Sequence, residues 1–69
     1  MIKAGSVVKH IPTGETWFVL GVNQKRNEIC IAGWPPSKAK LSDCVFVEQG
    51  ELTEVDLEYR DKRFGLNWN

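Results

Sequence analysis

Histidine and cysteine are scarce in this chain: one histidine, His10, and two cysteines, Cys30 and Cys44, with no CxxC pair. A four-ligand zinc site cannot be assembled from so few soft ligands in one copy, so no metal or cofactor is expected. Two buried, reduced thiols acting as small hydrophobes are the expectation. A catalytic histidine would need a partner and an enclosing pocket, which a domain of 69 residues can hardly build. No GxSxG, HExxH, P-loop or GxGxxG pattern occurs, and the chain is not expected to be an enzyme. Long apolar runs are missing too. The longest, Trp17 to Val22, falls far short of the roughly 20 residues that span a bilayer, and the first residues lack the apolar stretch of a signal peptide, so a cytoplasmic address is the default. Excess charge of either sign is absent: formal net charge is zero and the pI is about 6.5, without the basic footprint of a dedicated nucleic-acid binder.

What is present is β-forming sequence with turn signals between the segments. Val7-Val8-Lys9-His10-Ile11 is rich in β-branched residues and stops at Pro12-Thr13-Gly14-Glu15, where proline fixes φ and glycine supplies a positive φ, which predicts a hairpin. Residues 16–22 form the richest strand segment. Strict alternation sends Phe18, Leu20 and Val22 to one face and Trp17 and Val19 to the other. Both faces are then apolar, and one of them needs a cover from outside the sheet. A polar loop, Asn23 to Asn27, leads to a second two-sided strand ending in Trp34. Pro35-Pro36 cannot continue a central strand; Lys38 to Leu41 reads as a charged edge strand, Leu41 to Cys44 as a tight 3-10 turn, and Val45 to Glu48 as the last strand.

Gly50 divides a body, residues 1–50, from an extension, residues 51–69, within one domain. The body is basic and the extension acidic: Lys and Arg outnumber Asp and Glu six to three in residues 1–46 and are outnumbered three to six in residues 47–69. In the extension Val55, Leu57 and Tyr59 alternate with charged residues as in a strand, while Thr53 with Asp56 approximates a helical capping box. Strand and short helix both stay open, with the extended form favoured. The unused apolar set Val55, Leu57, Tyr59, Phe64, Leu66 and Trp68 is expected to pack on the body and cover the second face of the central strands.

The order of strand, PTGE turn, long apolar strand, polar loop, strand ending in Trp34, basic edge strand and Leu-Ser-Asp-Cys-Val-Phe-Val-Glu closure resembles small SH3-like β-barrel proteins of bacteria and phages. In Gly5 to Lys9, Cys30, Trp34 and Leu41 to Val47 the layout is similar to the uncharacterised YodC-like family. The resemblance covers residues 5–48 and leaves out Pro35-Pro36 and the extension; it implies a mainly β, five-stranded SH3-like barrel, and no activity or functional residue.

Two functional classes are weighed. The first is a non-catalytic protein-interaction or accessory domain, self-associating or binding another protein, with Trp17, Trp34, Phe64 and Trp68 as candidate anchors, because large aromatics dominate interface energetics. The second is a single-stranded nucleic-acid-binding barrel, in which Lys25, Arg26, Lys38 and Lys40 form the basic patch and Trp17 and Trp34 stack on bases.

Overall fold

The computed structural model describes residues 1–33 and 37–69; Trp34 and the Pro35-Pro36 break lie outside the described residues. Five strands follow in order, β1 (Ser6–His10), β2 (Thr16–Asn23), β3 (Glu28–Ile31), β4 (Ser37–Lys40) and β5 (Cys44–Gln49), with a 3-10 turn at Leu41–Asp43 and a helix, α1 (Glu54–Phe64). They form one antiparallel sheet in the order β4-β3-β2-β1-β5. The β1–β2 hairpin closes through Gly14, whose φ is 73°, with its N–H donated to the His10 carbonyl at 2.7 Å.

β2 serves two partners in succession. Residues 16–18 pair with β1, and residues 19–23 pair with β3. At the junction the register slips: Val19 faces Ile31 while Gly21 faces Cys30, leaving Leu20 as an extra residue. Such a bulge bends the strand and shifts the alternation by one residue beyond it. The strict alternation expected from the sequence is therefore corrected at Val22, which joins Trp17 and Val19 rather than Phe18 and Leu20. Val8, Val19, Val22, Ile29 and Ile31 make one buried core, with Ile2, Trp17, Ala39, Leu41 and Cys44 packed against it. Leu20, Cys30 and Trp68 make a second, with Phe18, Leu52 and Phe64 around it.

A closed barrel is not formed. Among the described residues β4 pairs with β3 and β5 with β1, so these two strands stand at the edges of the sheet. β4 is four residues long and gives way to the 3-10 turn at Leu41, so the hydrogen-bond ladder stops before reaching β5.

The extended form favoured for residues 51–60 is also corrected: this stretch enters α1. Its start is fixed by a reciprocal capping box, in which the Asp56 N–H donates to Thr53 Oγ1 at 3.2 Å and the Thr53 N–H to Asp56 Oδ2 at 3.0 Å. Glu54 and Asp56 in the first turn and Lys62 and Arg63 in the last complement the helix dipole. In an added strand Val55, Leu57 and Tyr59 would have needed an apolar face of their own; in the helix Val55 and Tyr59 stay exposed while Leu57 and Phe64 are partly buried.

Beyond α1 the chain returns to β2. Asn69 and Val22 exchange two backbone hydrogen bonds, at 2.8 and 3.0 Å, along the part of β2 that β1 does not reach. Trp68 is buried, with Nε1–H donated to the Phe64 carbonyl at 3.0 Å. Arg60, folded back from the helix, donates to the carbonyl of the bulged Leu20 at 3.3 Å. This closure needs Gly21. A Cβ there would lie 2.7 Å from the Trp68 Cβ and 3.0 Å from the Arg60 Cδ.

Two outcomes follow for stability, measured by urea unfolding. Trp68→Ala should cost about 3–5 kcal/mol, the usual range for removing a buried aromatic. Gly21→Ala should cost about 1–3 kcal/mol, since the added methyl meets a near-backbone atom rather than a flexible tip. A chain ending at Gly50 should melt well below the full chain; equal melting temperatures would show that residues 51–69 contribute nothing to the fold.

Candidate functional site

His10 is engaged locally. Its Nδ1 lies 2.8 Å from Thr13 Oγ1, and its ring stacks on Trp17 with centroids 4.2 Å apart. Trp17 Nε1–H in turn donates to Glu15 Oε1 at 3.3 Å. Trp17 thus holds the β1–β2 hairpin together, and it borders an open cleft of about 510 Å³ lined also by Glu15, Thr16, Ile31 and Ala32. Among the described residues no three His, Cys, Asp or Glu side chains cluster as metal ligands, and no helix is long and apolar enough to cross a membrane.

The four basic candidates fall along one half of the sheet. Lys25 and Arg26 sit in the β2–β3 turn, which is tied to the 3-10 turn by Asn27: its carbonyl accepts from the Leu41 N–H at 3.0 Å, and its side chain bonds Ser42 twice, at 2.9 and 3.0 Å. That bracing brings the turn beside Lys40, at the end of β4. Lys38, two residues back on the same face, has its Nζ 5.9 Å from the Trp68 ring centroid. The strip is exposed, but the aromatic beneath it is not. Trp68 and Phe64 meet edge to face at 6.3 Å inside the second core, so the Trp68 ring is occupied by the fold. Trp17 lies at the β1–β2 hairpin and Trp34 outside the described residues. Of the three anchors among the described residues, Phe64 and Trp68 come together and Trp17 packs against the other core.

A run of consecutive exposed apolar side chains lies elsewhere. Along β5, Val45, Phe46 and Val47 are 52%, 41% and 53% exposed, and Ile11, bound through its N–H to the Asp43 carbonyl at 2.9 Å, is 57% exposed. β5 is exposed on both faces from Val45 to Gln49, and it carries a second irregularity. Val8 faces Phe46 but Val7 faces Glu48, so Val47 is an extra residue and the one-in, one-out alternation lapses. Sequence reasoning placed a strand here and missed its exposure. The signal was present in the run itself, since three consecutive apolar residues cannot all face one core.

The thiols are separated by the sheet, Cys30 in the second core and Cys44 against the first. Burial pushes the Cys30 thiol up to about 11, against a smaller opposing pull from Arg60; partial burial, then Asp43, raises Cys44. Neither environment favours a nucleophilic thiolate.

Compared with family models, with curated proteins and with solved structures, the chain matches none.

For Cys30 the unfolded thiol ionises near its ordinary value of 9.0 while the folded one stays protonated to about 11. Stability from this group is complete below pH 9 and is lost as pH rises toward 11, by on the order of 2–3 kcal/mol. Cys30→Val should remove that alkaline loss in pH-dependent unfolding, and native thiol labelling should modify Cys44 well before Cys30.

Proposed function

We propose that this chain is a non-catalytic protein-interaction or accessory domain of SH3-like kinship, whose docking surface is the free edge of β5. The carrying observation is the run Val45, Phe46 and Val47, exposed on a strand that pairs on one side only. Exposed apolar surface beside unpaired backbone groups is the setting in which an added strand gains both hydrogen bonds and side-chain burial. Strand order and the 3-10 turn before β5 support the SH3-like likeness, with the sheet left open and the extension forming part of the same domain. Two unlinked thiols suit a reducing cytoplasm.

The alternative, a single-strand nucleic-acid binder, is favoured by one feature, the exposed strip of Lys25, Arg26, Lys38 and Lys40. Against it stands the burial of Trp68, the ring beside Lys38, which is taken up by the second core and not offered for stacking. Titration with labelled oligothymidine at low and high salt separates the two. The interaction domain should not bind even at low salt, whereas affinity that falls steeply with salt would establish the alternative. A protein partner, once captured, should be lost with Val47→Lys and retained with Lys38→Glu.

A further inference from the structure

Three parts of the chain that are distant in sequence meet at one end of β2 and wall a groove of about 640 Å³. Residues 1–3 form one wall, the start of the β2–β3 turn a second, and the segment that returns after α1 a third. Hydrogen bonds set each wall in place. On the N-terminal side the Lys3 N–H donates to Ser6 Oγ and the Ser6 N–H to the Lys3 carbonyl, each at 2.9 Å; Ser6 is the one buried polar residue among those described. Asn23 joins the other two walls. Its Oδ1 accepts from the Arg26 N–H at 3.2 Å, shaping the turn, and its Nδ2 donates to the Asn67 carbonyl at 3.4 Å, tying the turn to the returning segment.

The lining combines two chemistries. Val22, buried in the first core, and Ile2, packed against that core, carry its apolar surface into the groove. Met1 and Leu66 extend it, and at 93% and 79% they are the most exposed large hydrophobic residues among those described. Lys3 and Lys25 line the same groove. Among the described residues neither lysine makes an ion pair, and no Asp or Glu side chain lines the groove.

We infer that this groove binds a free acyl-chain carboxylate, its chain lying on Ile2, Met1 and Leu66 and its head group met by Lys3 and Lys25. An apolar trough with unpaired cations and no carboxylate is complementary to a molecule that is apolar along its length and anionic at one end. A purely polar anion would leave Met1 and Leu66 uncovered, and a cationic amphiphile would meet two lysines. The three walls suit a single chain, whereas a flat bilayer surface would reach only the rim. The volume falls within the roughly 300–1,000 Å³ of small-molecule sites. No residue of β5 lines the groove, so this site stands apart from the docking edge proposed above.

Titration of the isotope-labelled full chain with sodium decanoate, followed by backbone amide NMR, should give saturable shifts centred on residues 1–3, 22–25 and 66–69. The expected dissociation constant is about 1 mM or below. Octanoate should bind more weakly, by up to about fourfold for each methylene removed, added salt should weaken decanoate severalfold, and decyltrimethylammonium should not bind. Lys3→Glu combined with Lys25→Glu should weaken decanoate binding at least tenfold and Leu66→Ser severalfold, while Lys40→Glu, outside the groove, should leave it unchanged. All four side chains are exposed, and circular dichroism melts check that each variant is folded; if the double variant is not, the salt dependence of the unaltered chain carries the charge test. Absence of saturable shifts up to about 10 mM decanoate, affinity indifferent to charge reversal and salt, or binding to phosphatidylglycerol vesicles with none to free decanoate overturns the inference.

Discussion

One extra residue in β2 sets the terms for the rest of the molecule. By inserting Leu20 between the half of the strand that pairs with β1 and the half that pairs with β3, the chain turns a single run of apolar residues into the lining of two cores. Val22 goes to one side, Leu20 to the other, and Gly21 is left where any side chain would collide with Trp68 and Arg60. A bulge disrupts the local ladder. Here the carbonyl of the bulged residue is taken by the Arg60 guanidinium, itself held near Asp61 at 3.2 Å. The second core, the helix and the returning segment meet at this bend, where Arg60 bonds the Leu20 carbonyl, Trp68 packs with Leu20 and Cys30, and Asn69 pairs with Val22.

The second constraint is that a five-stranded sheet which does not close has to manage two edges. Lysines guard one, and the same side chains that guard it make up half of the basic strip. The other has apolar side chains exposed on both faces of its strand, and a bulge at Val47. Charge and hydrophobicity are thus sorted onto opposite margins of the sheet.

Much of this is visible in the residues. Pro12 and Gly14 announce a turn whose geometry the sheet adopts, and the alternating lysines of residues 38–40 announce an edge. The two-sided apolarity of residues 16–22 requires a cover from outside the sheet, and Phe64 and Trp68 supply it. What could not be read is what depends on non-local balance. A bulge costs one ladder position and is chosen only because two cores then fill, so the phase of Val22 is invisible until Trp68 is placed. In residues 53–59 two local signals competed, and the one that formed is the helix, with Thr53 and Asp56 closing a reciprocal capping box at its start. Barrel closure likewise depends on how far β4 runs before the 3-10 turn. The burial of Trp68, which takes it out of the set of surface aromatics, follows from its contacts with Leu20 and Cys30, residues far away in sequence.

The bond between Arg60 and the Leu20 carbonyl spans 40 positions, and that between Ser6 and Gln49 spans 43. Contacts of this reach close slowly, after the short-range hairpins have formed. During synthesis the first three strands are complete while the side chains that cover Leu20 and Cys30 have yet to be made, and the emerging chain carries a bare apolar surface until the last of its described residues arrive. The order of the sequence is then an order of risk. Until Trp68 and Asn69 dock, β2 is open on one side, and transiently exposed apolar surface of this kind is where incompletely folded chains aggregate.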